Sequence, residues 1–200
     1  MSENIFPTRT SVDAEQRIRR TGHPGCVIWL TGLSASGKST IATALEQSLC
    51  DSGKLAYMLD GDNVRGGLCS DLGFSPEHRR ENIRRIGEIA KLFADAGLIC
   101  ITAFISPYRS DRELAHKTVS PGKFFEVYVN APLQVCEQRD PKGLYAKARA
   151  GKLKEFTGVS APYEPPLKAD LELHTDILSV GECVAKISAL LNRVLTEKGR

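Results

Sequence analysis

The residues with the clearest chemistry are Gly32-Leu33-Ser34-Ala35-Ser36-Gly37-Lys38-Ser39, followed by Thr40. They satisfy the spacing G-x-x-x-x-G-K-[ST] at every fixed position, the pattern of a phosphate-binding loop. Glycines let the backbone curl until successive N–H groups point inward, and a helix starting at the loop adds the positive end of its dipole. In such a loop the lysine, here Lys38, reaches the β- and γ-phosphates, and the hydroxyl of Ser39 ligates Mg²⁺. A glycine-rich turn is the plain alternative. The apolar run 26–30 before the loop reads as a strand and 39–50 after it as a helix, so the context favours a nucleoside-triphosphate site.

A second group is Asp60-Gly61-Asp62-Asn63, at the end of the apolar run 55–59. Two carboxylates one residue apart can divide the work of phosphoryl transfer. One orients or deprotonates an acceptor hydroxyl while the other, expected to be Asp60 acting with Ser39, holds Mg²⁺, directly or through water. Turn chemistry alone also favours this composition; beside a phosphate loop the functional reading is preferred. The third feature is the segment 139–166, where apolar periodicity fades and Arg139, Lys142, Lys147, Arg149, Lys152 and Lys154 accumulate. A charge run is ordinarily a solvated face. Next to a phosphate site it is expected to be a mobile lid that closes over the phosphates and excludes water.

The elements that must position these groups alternate between strand and helix patterns. Strands are expected at 26–30, 55–59, 98–105, 124–129 and 171–173, and helices at 39–50, 75–96, 110–118, 132–138 and 180–195. Ser75-Pro76-Glu77 is a helix start, with a Ser cap and Pro in the first turn, and Gly97 suits the far end. Apolar strands separated by helices predict a three-layer α/β fold: a mainly parallel, five-stranded sheet with helices on both faces and a basic lid. The domain reading is an N-terminal arm over 1–24, with one short helix near 14–20, and a kinase domain over 25–200.

Composition narrows the class. The 200 residues suit one domain, and the formal net charge of +3 is too mild to argue for nucleic acid. No apolar stretch approaches transmembrane length and no signal-peptide core is evident near the start, so a membrane partner is not expected. Six cysteines occur singly with no C-x-x-C pair, which suits reduced thiols in a cytoplasmic protein. Guanine selectivity normally needs an Asn-Lys-x-Asp element, and none is present. The D-x-x-G at 140–143 opens the basic segment instead of following a buried strand, so a GTPase switch is not expected. Acids after the second strand suit a small-molecule kinase.

The blocks at 32–40, 59–65, 71–75, 80–85, 104–109, 139–145 and 156–158 resemble those of adenylyl-sulfate kinases, in the family's order. The resemblance implies transfer of the ATP γ-phosphate to the 3′-hydroxyl of adenosine 5′-phosphosulfate, with Mg²⁺, a homodimer, a role in sulfate assimilation and functional coupling to ATP sulfurylase. The chain leaves no room for the fused ATP sulfurylase region of many relatives, so a free-standing kinase, or the kinase portion of a longer protein, is expected. The family's substrate positions fall on Asp62, Asn63, Arg65, Phe74, Arg79, Asn82, Ile105, Ser106, Lys142 and Phe156. These residue types suit such a ligand, with arginine forks for phosphosulfate, aromatic faces for adenine and an amide for the purine edge. The serine matching Ser106 has been described in the family as a phosphoserine intermediate. No His or Lys flanks it to act as an activating base, and direct transfer is preferred. The alternatives are a kinase of another small hydroxylated acceptor and a nucleotide-binding module without catalysis.

Overall fold

The strand Cys26–Thr31 (β1) is buried along its whole length, as a run of Val, Ile, Trp and Leu requires when helices cover both faces of a sheet. In the computed structural model, which describes residues 6, 8 and 10–197, β1 is the centre of five strands. The others are Ala56–Asp60 (β2), Ile99–Ala103 (β3), Phe124–Asn130 (β4) and Leu171–His174 (β5), in the order β2-β3-β1-β4-β5. Every neighbouring pair is parallel, so the expected "mainly parallel" sheet is wholly parallel among the described residues.

Alternate side chains of β1 enter two separate cores. Ile28 and Leu30 join Ile41 and Leu45 of the helix Lys38–Asp51 (α2) and Ile187 and Leu191 of the helix Val180–Glu197 (α8). Val27 and Trp29 point the other way, to Ile83, Ile86 and Ala90 of the helix Pro76–Asp95 (α4) and Ala115 of the helix Arg109–Thr118 (α5). This is the three-layer arrangement. Truncating a buried Leu or Ile of either core to Ala costs about 2–5 kcal/mol. Ser75 caps α4 by accepting from the His78 amide, with Pro76 in the first turn, a cap worth about 1 kcal/mol.

Three local outcomes differ from the sequence expectation or refine it. The stretch 60–63 is not a turn: Asp60 ends β2 and its side chain caps a short helix, Gly61–Arg65 (α3), by accepting from the Asp62 amide. The carboxylate satisfies an N-terminal donor, so the chain reverses as a helix. The third strand is shorter than expected, because 104–107 leaves the sheet as an irregular loop over its end. The basic segment carries order of its own. After the helix Leu133–Arg139 (α6), Asp140 accepts from the Leu144, Tyr145 and Ala146 amides, starting the helix Leu144–Arg149 (α7).

In the N-terminal arm, residues 1–5, 7 and 9 lie outside the described residues. The helix Ala14–Thr21 (α1) starts with a reciprocal capping box between Asp13 and Gln16. His23 is buried; its Nε2 accepts from the Leu55 amide, so Nδ1 donates to the Pro24 carbonyl, 3.0 Å each. That tie fixes the arm to the start of β2.

Candidate active site

The C-terminal ends of the parallel strands open into one cleft of about 910 Å³, where open α/β sheets place ligands. Of the residues singled out from the sequence, Ser34, Ala35, Gly37, Lys38, Ser39, Thr40, Asp60, Asp62, Arg65, Phe74, Arg79, Asn82, Ile105, Ser106, Lys142 and Phe156 line it. Gly32, Leu33, Ser36 and Asn63 do not. The first three belong to the loop's own framework, and Asn63 is exposed on α3.

The phosphate loop is built by backbone freedom. Gly37 sits at φ +101° just before α2, a conformation that side chains rarely adopt. Gly32 is fixed by space as well, since a Cβ there would lie 2.3 Å from the Val129 carbonyl oxygen. Lys38 folds back along the loop, its ammonium donating to the Gly32 carbonyl at 3.0 Å and the Leu33 carbonyl at 2.6 Å. Burial of this cation lowers its pKa to about 8, because the charged form loses hydration.

The acids stand at the mouth of the loop. Ser39 Oγ donates to Asp60 Oδ2 at 2.6 Å, while Asp60 Oδ1 accepts from the Asp62 amide at 3.0 Å. Asp62 is ion-paired with Lys142 from the basic segment. Both partners are well exposed, and such pairs contribute little stability.

The far wall is cationic and aromatic. The Arg65 guanidinium lies 4.4 Å from the Phe74 ring centre and donates to the Leu72 and Gly73 carbonyls. Arg79 donates to the Phe74 carbonyl, to Thr157 Oγ1 at 2.9 Å and to the Glu155 carbonyl at 2.6 Å. Burial depresses the pKa of both arginines, and the charge of Arg79 further depresses that of Arg65. Cations whose charged forms are penalised by burial, and in Arg65 by a neighbouring charge as well, form a wall that an anion relieves. Asn82 is buried with its Oδ1 unpartnered and lines the cleft; a buried polar atom left open at a cleft marks a ligand contact. Phe156 packs edge-on to Tyr145 at 5.0 Å, whereas Phe74 is 60 % exposed.

Ser106 is 2 % exposed and adopts φ +39°. Its Oγ accepts from the Trp29 indole N–H at 3.1 Å. No acid or base is hydrogen-bonded to this hydroxyl among the described residues.

Further groups complete the cleft, among them Arg139 of the basic segment. Arg139 donates to the Thr175 carbonyl and, at 3.3 Å, to Thr175 Oγ1, and Thr175 Oγ1 donates to the Ser36 carbonyl at 2.7 Å. Tyr145 OH donates to the Ser34 carbonyl at 3.0 Å. Leu178, Val180 and Cys183 complete that end. The available signal was positional: Thr175 follows directly on the end of β5, beside the strand leading into the phosphate loop's neighbour β4.

Residues 24–174 match the family model for adenylylsulphate kinase. The chain is 54 % identical over 190 residues to the adenylyl-sulfate kinase of Prochlorococcus marinus, covering 95 % of this chain and 94 % of that one. It is 56 % identical over 193 residues to the adenylyl-sulfate kinase of Aeromonas hydrophila, covering 96 % and 94 %. The structure resembles that of the Mycobacterium tuberculosis APS kinase CysC in complex with AMPPNP and APS, with a TM-score of 0.81, 46 % identity and coverage of 85 % and 99 %. With a phosphate loop, an acid pair and a cationic wall on one cleft, and with relatives of this closeness, the chain belongs to the adenylyl-sulfate kinase family.

Proposed function

We propose that this chain transfers the γ-phosphate of ATP to the 3′-hydroxyl of adenosine 5′-phosphosulfate, giving ADP and 3′-phosphoadenosine 5′-phosphosulfate. The observation that carries the reading is the shared cleft: a phosphate loop and the half-buried Arg65 and Arg79 line the same cavity, so donor and anionic acceptor meet in it. A binding module alone has no need of the second set.

The loop amides and Lys38 hold the donor phosphates, and Lys38 follows the γ-phosphate as charge spreads. Arg65 and Arg79 take the phosphosulfate, with Asn82 on the purine edge and Phe74 and Phe156 against the base. Asp62, released from Lys142, orients the acceptor hydroxyl, and Lys142 turns to the transferring phosphoryl. We read 139–166 as the lid of a kinase domain over 25–200, with 1–24 as an arm.

The donor set fits Mg²⁺. The Ser39 hydroxyl and Asp60 carboxylate are adjacent hard oxygens, and no cluster of three His, Cys, Asp or Glu exists among the described residues. Mg²⁺ characteristically takes one or two protein groups and completes its shell with phosphate and water. When bound it supplies charge neutralisation between the β- and γ-phosphates. We further infer a homodimer, a place in sulfate assimilation beside ATP sulfurylase, and a cytoplasmic setting supported by six free cysteines.

The test is ADP release from Mg-ATP with adenosine 5′-phosphosulfate, with adenosine 5′-monophosphate as control acceptor. Turnover that requires the phosphosulfate supports the reading; ATP binding with turnover indifferent to it overturns the acceptor assignment.

A further inference from the structure

The loop 105–107 that borders the acceptor side of the cleft is held from behind by one buried guanidinium. Arg112, on α5, is 3 % exposed, and each of its nitrogens is used. Nε donates to Glu126 Oε1 on β4 at 2.6 Å, Nη1 to the Ser106 carbonyl at 2.7 Å and Nη2 to the Glu164 carbonyl at 2.8 Å. Its Cζ lies 5.9 Å from the centre of the Tyr163 ring. One rigid fork therefore joins the sheet, the acceptor loop and the returning end of the basic segment.

Independent bonds repeat the same connection. Tyr163 OH and Thr31 Oγ1 lie 3.0 Å apart, and Thr31 Oγ1 donates to the Ile105 carbonyl at 2.8 Å. The Glu164 amide donates to the Pro107 carbonyl at 2.9 Å, and the Arg109 amide to the Glu164 carboxylate at 2.8 Å. By contrast, the contacts of 142–157 with the opposite wall run mostly through exposed groups, the Lys142–Asp62 pair and the Glu155 carbonyl that accepts from Arg79, with Thr157 the buried exception. A charge-assisted bond that is buried outlasts an exposed one, because water competes poorly for it.

We propose that Arg112 is a positioning residue for the acceptor. It fixes 105–107, with Ser106 in its left-handed conformation, and makes 163–165 the stationary hinge about which the rest of the lid moves. Arg112 touches no substrate in this scheme; it acts through the loop that does. The inference rests on the acceptor side of the proposed function, but its structural half is testable without turnover.

The experiment compares Arg112→Lys and Tyr163→Phe with the parent protein by hydrogen exchange, by binding of a non-hydrolysable ATP analogue and by kinetics with adenosine 5′-phosphosulfate. Lysine keeps the charge facing Glu126 but lacks the fork. Arg112→Lys is expected to speed exchange at 105–109 and 163–165 with α2 unchanged. It should raise KM for the acceptor by about tenfold, with analogue affinity within about twofold, the effect of losing roughly one charged hydrogen bond. Tyr163→Phe, which leaves the Arg112–Glu126 pair intact, is expected to move the same readouts in the same direction by a smaller factor. Unchanged exchange at 163–165 in both variants overturns the hinge. An equal loss of analogue and acceptor binding overturns the positioning role, and if Arg112→Lys does not fold, Tyr163→Phe decides alone. Faster exchange at both segments, in a protein that ignores the phosphosulfate, would uphold the clamp and refute the acceptor assignment instead.

Discussion

Ser39 and Asp60 meet at 2.6 Å, hydroxyl to carboxylate, and so join the first turn of α2 to the last residue of β2. These residues come from elements whose strands, β1 and β2, are not neighbours in the sheet, being separated by β3. The contact therefore depends on the whole sheet being assembled, and it places two oxygen donors beside the phosphate loop.

Asp60→Asn keeps the size and the cap-forming oxygen but removes the charge. Turnover is expected to fall by about 10- to 100-fold, the usual range for disturbed metal ligation. Raising Mg²⁺ should restore part of it. A Mg²⁺ titration of initial rates checks this, and an unchanged metal dependence would remove Asp60 from the metal site.

Lys38 has its pKa lowered to about 8 by burial. Its cationic form is the one that binds phosphate, so nucleotide affinity should decline as pH rises through about 8. Polyphosphate favours the charged form and raises the pKa, so binding above that pH should take up a proton. Calorimetry in buffers of different ionisation enthalpy measures the uptake, which Lys38→Ala should abolish together with turnover. The sign for folding is opposite to that of an ion-paired lysine. The folded pKa lies below the unfolded one, so the charged form is penalised in the folded state. That penalty is present in full below about 8 and is relieved as pH rises from there towards the ordinary lysine value.

Asn82 carries a buried oxygen without a partner. Replacing it with Leu removes an unpaired polar group, which is close to neutral for folding. The melting temperature should therefore hold or rise while KM for adenosine 5′-phosphosulfate increases by about tenfold or more, since the lost bond is one to the ligand. A parallel loss of stability and acceptor binding would assign the side chain to the core.

Arg79 bonds to the Phe74, Glu155 and Thr157 side of the cleft and to no residue of the phosphate loop. Arg79→Ala is expected to weaken acceptor binding by about 10- to 100-fold, the range for removing a charged hydrogen-bonding group, with little change in ATP-analogue affinity. Titrations of each ligand separate the two. Equal losses would undo that division of labour.

Much of this is legible in the sequence alone. The strands 26–30 and 124–129 are apolar runs with no competing pattern, and the structure places β1 and β4 there. Ser75-Pro76 carries its own chemistry and starts α4 as expected. The short helix α3 is not legible at 60–63 because Asp, Gly and Asn serve turns and helix caps alike, and only the hydrogen bond from the Asp62 amide decides between them. In the site, the loop and its lysine are local and readable by spacing. Arg112 is not, because its meaning lies in reaching Glu126, Ser106 and Glu164 at once, and no short window contains those three. The bond from Thr175 to the Ser36 carbonyl is hidden for the same reason, since the two lie far apart in the chain.

The central position of β1 also constrains how the protein comes into being. Its Cys26 is opposite Ile99 on one side, and its Val27 is opposite Phe124 on the other. The phosphate-loop strand is thus made well before both of its partners, and it stays unpaired until they exist. Parallel pairings of this reach must close long loops before they gain contacts, and they form slowly. A nascent chain would carry Val27, Ile28, Trp29 and Leu30 unpaired at least until Ile99–Ala103 had been made, a stretch on which chaperones and aggregation compete. The strand that anchors the catalytic loop is the one whose folding waits longest.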